Sequence, residues 1–360
     1  MHRIRLGVIG TGLAWEGLHW PALQRLQDRY EVVAVADIDA SRAHRAAEGI
    51  GLSADRVYTD YREMLRRDDI DAIDVLVPIA KNYSVAEDVA KHGFDMICEK
   101  PMGANLREAR LHRDLPEKYN IKVLIAENYR YDEEYNLIRD LVRQGRIGDI
   151  VYFVWNSVSC FPCQMTQDTF AATEWRQHPD YPGGDFLDAA LHDIAAMRHI
   201  FGAIDRVHAL GRRQRRDFSP YLSYHVNIGF KSGVIGQFAY WPSGKDSQGP
   251  MLGTRIFGTR GVIYLEDRAC GVVNVFNPDG TSQQLYYTPY QGYYNEFVNF
   301  YNALTGQEAI AVPPEMEYGD VITVLAILSS LETGGVCTVD PTADYLGQVT
   351  ETPVPQLSLH

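Results

Sequence analysis

The stretch "IRLGVIGTGLAWEGLHW", residues 4 to 20, decides how the first half of the chain folds. Its opening run, Ile4 to Ile9, is apolar apart from Arg5 and reads as a strand buried on both faces. It leads into Gly10 and Gly12 at G-x-G spacing, where strand should give way to helix. Glycines in such a turn let the backbone come close to a pyrophosphate, and the helix behind them offers unpaired N–H groups and the positive end of its dipole. The third glycine of the dinucleotide fingerprint is missing, and Trp15 stands in its place. A lone G-x-G also reads as a tight turn with no ligand.

Outward from this stretch the same grammar repeats. Residues 30–37 ("YEVVAVAD"), 72–78 ("AIDVLVP"), 94–100 ("FDMICEK") and 122–128 ("KVLIAEN") are near-continuous apolar runs, and helix-length patterns such as 39–49 and 82–93 lie between them. Strand and helix in alternation predict a doubly wound parallel sheet, a Rossmann-type domain over residues 1–128. The second strand ends at Asp37, the distance downstream at which an acid takes hydrogen bonds from an adenosine ribose. A carboxylate there repels a 2′-phosphate, which favours NAD over NADP, while Arg42 leaves NADP open as a phosphate partner.

After residue 150 the pattern changes. In "YLSYHVNIGF", residues 221–230, Leu222, Tyr224, Val226, Ile228 and Phe230 alternate with Ser223, His225 and Asn227, as in an antiparallel strand with one wet face. Further strand-like runs follow between glycine-rich turns, with helical patterns at 186–201, 293–304 and 318–331. Residues 129–360 therefore read as an α+β domain, an open, mostly antiparallel sheet with helices on one face. An open sheet with exposed aromatic side chains predicts a homo-oligomer, a homodimer or homotetramer built through that sheet.

Composition narrows the partners. A formal charge of −13 repels nucleic-acid backbones and anionic lipid. The basic cluster "GRRQRRD", residues 211–217, reads as a solvated loop or strand end. No apolar run approaches the ~18 residues of a membrane span, and the short run after the basic start is no signal peptide, so a cytoplasmic protein is expected. Five cysteines, an odd number, point to reduced thiols. The "CFPC" pair Cys160 and Cys163 lacks the second ligand pair of a zinc site and reads as structural, so no metal is expected.

Two further segments carry candidate chemistry. In "MICEKPMG", residues 96–103, a buried-looking strand ends in Glu99 and Lys100 with Pro101 directly behind. Ligands of doubly wound sheets sit outside the carboxyl ends of the strands, which places Lys100 where a proton could be given or taken; a surface ion pair is the plainer alternative. In "GGDFLDAALHDIAAMRHIFG", a helix would bury Leu187, Leu191, Ile194 and Phe201, with Asp188 and His192 four apart on an adjacent face. A carboxylate one turn from an imidazole fixes its tautomer and suits a general acid or base, although such pairs also occur as plain helix surface. His199 reads as surface.

Taken together, "GVIGTG", Asp37, "CEKPMG", "AENYRYD" and "GGDFLDAALHDI" resemble the Gfo/Idh/MocA oxidoreductase family, named for glucose-fructose oxidoreductase and inositol dehydrogenase, over nearly the whole chain. The resemblance implies that Lys100, Asp188 and His192 form the catalytic set, and that Pro101, in a cis bond as in many relatives, holds Lys100 at the strand end while Glu99 orients or neutralises it. It implies NAD contacts from Gly10, Gly12, Leu13, Ala14, Asp37, Pro78, Asn82, Glu99, Lys100 and Asn128, and substrate contacts from Tyr129, Trp175 and Arg176. Two departures stand out: Asn82 where many relatives carry histidine, and Ala195 where many carry an acid. The implied activity is an NAD(P)-dependent dehydrogenase or reductase of a secondary alcohol or ketone on a sugar, inositol or related polyol. The alternatives are a redox-neutral, NAD-dependent glycosidase-type enzyme and, less favoured, a non-catalytic sugar-sensing regulator.

Overall fold

The structure is a computed structural model and describes residues 3–158, 172–214, 218–242 and 253–340. Cys160, Cys163, Arg215, Arg216 and the "TPVPQLSLH" tail lie outside the described residues. The chain divides into two compact units, one of Met1–Tyr131 with Gln291–Tyr318, the other of Asp132–Tyr290 with the chain from Gly319 onward. No described helix is long and apolar enough to cross a membrane.

The first unit is built on a six-stranded, all-parallel sheet. Its strands are β1 (Ile4–Ile9), β2 (Tyr30–Ala36), β3 (Val57–Tyr58), β4 (Ala72–Val75), β5 (Asp95–Glu99) and β6 (Val123–Ala126), in the order β3-β2-β1-β4-β5-β6. Registers pair Ile9 with Ala36 and Val75, Val75 with Cys98, and Glu99 with Ala126, so the strands end together along one edge. The order reverses between β1 and β4, the switch point at which open α/β sheets bind ligands. The intervening helices have local causes. Asp39 caps Ala40–Ile50 by accepting from the Ser41 and Arg42 N–H groups, and Gly51 ends it in the left-handed region at φ 75°.

Gln291–Tyr318, read from the sequence as part of the second domain, packs instead with the first unit. The physical reason is an uncovered strand edge and an aromatic face. Ile125 of edge strand β6 donates its N–H to the Val312 carbonyl at 3.0 Å. In the helix Gly292–Leu304, Phe297 and Tyr301 set their rings 5.6 and 5.9 Å from that of Tyr30, whose hydroxyl donates to the Phe297 carbonyl at 2.7 Å.

The second unit carries a nine-stranded sheet. Its strands are β7 (Ile150–Val158), β8 (Ile204–Arg213), β9 (Tyr221–Phe230), β10 (Ile235–Trp241), β11 (Gly253–Gly258), β12 (Gly261–Leu265), β13 (Val272–Phe276), β14 (Ser282–Tyr286) and β15 (Val336–Thr338). They lie in the order β14-β13-β12-β11-β7-β10-β9-β8-β15, and β7 with β10 is the one parallel pair among them. The alternation read in β9 is realised, with Tyr224, Val226, Ile228 and Phe230 buried and His225 and Asn227 exposed. Arg212 and Arg213 close β8 at an exposed strand end, in keeping with the reading of that basic cluster.

Aromatic stacking fastens the helix Leu191–Phe201 to this sheet. Phe153 of β7 is fully buried, stacks on Phe201 at 4.6 Å and meets Phe230 edge-on at 5.9 Å. Its ring fills the space that glycine leaves at Gly236, where a Cβ would sit 2.2 Å from it. Truncating Phe153 to alanine should therefore cost about 3–5 kcal/mol, the usual range for emptying a buried aromatic site, read as a lower urea midpoint at unchanged m.

Candidate active site

The residues read as cofactor contacts lie along the carboxyl edge of the first sheet. Gly10 adopts φ 95°, and a Cβ there would lie 2.1 Å from the Leu76 carbonyl oxygen, so the turn admits glycine alone. At Gly12 a Cβ would meet nothing nearer than Arg42 Nη1 at 3.5 Å, which leaves that backbone open to a ligand. Leu13 and Ala14 open the helix, and the next residues, Trp15–His19, form a π turn. Trp15, in the position of the missing third glycine, is buried and stacked on Trp20 at 5.3 Å.

Asp37 follows β2 and is nearly buried. Its Oδ2 accepts from the Thr11 N–H at 2.8 Å and the Thr11 hydroxyl at 3.2 Å, its Oδ1 accepts from the Asp39 N–H at 2.9 Å, and Arg42 Nε lies 3.7 Å from Oδ1. A carboxylate has about four acceptor sites, so capacity remains for a ribose hydroxyl. Asn128 begins a short 3-10 turn behind β6; it is buried and its Oδ1 has no partner, a polar atom waiting for a donor. Beside it, Tyr129 has its N–H held by Glu127 Oε1 at 3.1 Å.

Lys100 stands half-buried at the end of β5, followed by a cis bond to Pro101. Glu99 Oε2 accepts the Lys100 backbone N–H at 3.0 Å. Pro78 introduces the helix Ile79–Lys91, which carries Asn82 beneath the corner. Asn82 is buried; its amide donates to the Glu99 carbonyl and to the Pro101 carbonyl (2.9 Å), and its Oδ1 accepts from the Cys98 thiol at 2.9 Å. The sequence reading gave Asn82 to the cofactor, whereas both of its amide hydrogens are spent on the backbone that flanks Lys100.

The second unit carries the D-x-x-x-H helix. Phe186–Ala190 is a π turn that runs into the helix Leu191–Phe201, and Leu187, Leu191, Ile194 and Phe201 are buried as the spacing predicts. Asp188 is buried on the π turn and His192 is half-buried on the first turn after it. Arg176 Nε donates to Asp188 Oδ2 at 2.9 Å, and its guanidinium lies 4.3 Å over the Trp175 ring. Arg176, read as a substrate contact, thus also anchors Asp188. His199, read as surface, packs its Nε2 against Arg139 Nη1 at 2.8 Å and Asn136 Oδ1 at 3.1 Å.

Comparison with known proteins agrees with this geometry. Residues 4–127 match the model of the oxidoreductase family with an NAD-binding Rossmann fold, and residues 135–264 match the GFO/IDH/MocA C-terminal domain. The chain belongs to the Gfo/Idh/MocA family. Among its relatives, an uncharacterized protein of Saccharomyces cerevisiae is 28% identical over 86% of this chain and 89% of its own length. The dTDP-3,4-didehydro-2,6-dideoxy-alpha-D-glucose 3-reductase of Streptomyces antibioticus is 29% identical over 66% of this chain and 69% of its own. A solved oxidoreductase of Thermotoga maritima superposes with a TM-score of 0.82 at 27% identity, covering 94% of this chain and 99% of that one.

The first unit is accordingly the family's NAD-binding domain, and its residues suit the dinucleotide: an open backbone at Gly12, spare acceptor capacity on Asp37, and an unpartnered amide oxygen on Asn128. Reading the sequence for this family missed several buried polar residues. His19, Asp74 and Glu296 form a cluster in the first unit, and Asp185 and Asp193 are buried on or before the D-x-x-x-H helix. Asp193 could have been suspected, since it directly follows His192, but its partner Trp155 Nε1, 2.8 Å away, comes from a distant strand.

Burial raises the Asp193 pKa to about 6, against hydrogen bonds from Trp155 and Ser157 that lower it. The folded state then holds a proton more tightly than the unfolded chain. Stability from this group is present below about pH 4 and is lost as the pH rises through about 6. Asp193→Asn keeps an oxygen for the indole N–H and removes the titration. It should raise unfolding free energy by about 1–3 kcal/mol at pH 7.5, a gain that shrinks toward zero near pH 4 in urea titrations.

Proposed function

We propose that this oxidoreductase interconverts a secondary alcohol and its ketone on a sugar, inositol or related polyol, with Lys100 and His192 carrying the proton and Asp188 orienting His192. The observation that carries this reading is one chain with Lys100 directly after a central parallel strand, at the ligand-binding edge of an NAD-binding sheet, and D-x-x-x-H on a π-turned helix of the second unit. π turns of this kind recur at functional sites. Nicotinamide gives or takes the hydride when bound, so what the protein must add is proton transfer, orientation and a dry site. Lys100 has donors for a hydroxyl. Asp188, held by the Arg176 guanidinium, lies one turn from His192. A sugar-type substrate is supported by the Streptomyces relative, a 3-reductase of a dTDP-linked didehydro-dideoxy-glucose.

The nine-stranded sheet leaves Tyr152, Ile235, Phe276 and Tyr286 exposed, with Tyr152 stacked on Phe257 at 4.4 Å. A second copy covering such side chains fits a homo-oligomer, read by light scattering. Activity is tested with sugars, inositols and their keto forms in the presence of NAD or NADP, following nicotinamide absorbance. Net turnover of added cofactor supports a dehydrogenase; glycoside cleavage without it would replace this reading by the redox-neutral one.

Cofactor preference should follow Asp37. Exchange for serine removes its repulsion of a 2′-phosphate beside Arg42, so the ratio of kcat/KM for NAD over NADP should fall; an unchanged ratio removes this acid from the adenosine site.

Lys100→Met keeps the apolar stem and deletes the charge and donors. It should fold and bind NAD as the parent does yet lose ~10³-fold in kcat/KM, roughly 4 kcal/mol of transition-state stabilisation. His192→Ala should lose ~10²-fold in kcat. Full turnover by either variant removes that residue from the chemistry, and lost stability in place of lost rate makes the Lys100 corner a structural ion-pair site.

A further inference from the structure

Beneath the Lys100 corner the first unit buries a histidine among three carboxyl groups. His19 closes the π turn Trp15–His19 and has no exposed surface. Its Nδ1 lies 3.1 and 3.0 Å from the two oxygens of Asp74 on β4. Its Nε2 lies 3.3 Å from Glu99 Oε1 and 3.9 Å from Glu296 Oε1. The rings of Tyr293 and Phe297 cover it at 5.8 and 5.2 Å. Glu99 turns its other oxygen, Oε2, to the Lys100 backbone N–H. One continuous path therefore runs from the middle of the sheet through Asp74, His19 and Glu99 to the backbone of Lys100.

A neutral imidazole has one donor and one acceptor nitrogen, yet both nitrogens of His19 face carboxyl oxygens. An imidazolium would pair with Asp74 through Nδ1, while Glu99 Oε1, 3.3 Å from Nε2, meets it at ion-pair distance outside hydrogen-bond geometry. Burial acts to lower the His19 pKa, but Asp74 and Glu99 outweigh it and hold the ring well above the ordinary imidazole range. Burial pushes the Asp74 and Glu296 carboxyls and the Cys98 thiol upward, toward their neutral forms, and does the same to the Tyr30 and Tyr131 phenols. The Glu127 carboxylate also acts on Glu296 through its charge. Among the described residues no group of three or more His, Cys, Asp or Glu is arranged to hold a metal ion.

We propose that His19 is a positioning residue for the reaction: it pins the Glu99 side chain, and Glu99 in turn sets the backbone from which Lys100 reaches the substrate. The proposal rests on the reading of Lys100 as catalytic. A double-mutant cycle separates the two. His19→Gln keeps much of the side chain's bulk and a donor but removes the charge; it is measured alone, with Lys100→Met, and in combination, with NAD affinity followed by tryptophan fluorescence. We expect His19→Gln to lower kcat about 10-fold with NAD affinity and KM nearly unchanged, because small misplacements of a reacting group cost rate more than binding. The double variant should be no slower than Lys100→Met alone, since the positioned group is already gone. If Lys100→Met is slow but His19→Gln keeps the parental kcat, or the two losses multiply, the positioning role is overturned while the reading of Lys100 stands. If Lys100→Met keeps its rate, the reading of Lys100 falls and takes this proposal with it. Should His19→Gln not fold, Asp74→Asn, which leaves an oxygen facing Nδ1 and drops its charge, enters the same cycle with the same criteria.

Discussion

The close approach of Gly10 to the Leu76 carbonyl is the constraint on which the rest of the first unit depends. It brings the turn after β1 against the end of β4, at the place where the strand order reverses. Any side chain at Gly10 would push the two strand ends apart and with them the crevice that a dinucleotide enters. Asp37 reinforces the same turn from the other side by taking the Thr11 N–H and hydroxyl. The carboxylate read as a ribose contact thus also ties the glycine turn to β2.

Around Lys100 the protein spends polar groups on backbone rather than on solvent. Asn82 holds the carbonyls on either side of Lys100, and Glu99 holds its N–H, so main-chain atoms on both sides of the residue are fixed from below. The Asn82 amide offers two donors in a fork, which is what two adjacent carbonyls require, and an acceptor for the Cys98 thiol besides. The Asp188 side chain is treated alike: Arg176 grips it and Trp175 backs the guanidinium. In each unit the groups read as chemical are held by neighbouring side chains.

Legibility in the sequence was uneven for physical reasons. The parallel sheet, the antiparallel strands and the motif helix announce themselves by local periodicity, and the glycine turn by residues that only a special backbone conformation calls for. The buried set His19, Asp74 and Glu296 gives no such sign. Its members are 55 or more residues apart, except in space, and each alone resembles an ordinary polar residue on a helix or strand. The same holds for Asp193 and Trp155, joined across 38 residues.

By itself the sequence determined the fold class, the family and the dinucleotide-binding edge, because these follow from short-range patterns of apolar, glycine and charged residues. Tertiary structure alone decided that Gln291–Tyr318 packs with the first unit, since only the assembled sheet exposes the β6 edge that Ile125 and Val312 close. It also decided that Asn82 reaches the carbonyls on both sides of Lys100, and that His19 lies fully buried between Asp74 and Glu99. A side chain's partners are set by which strands become neighbours, and that information is not carried by any one stretch of the chain.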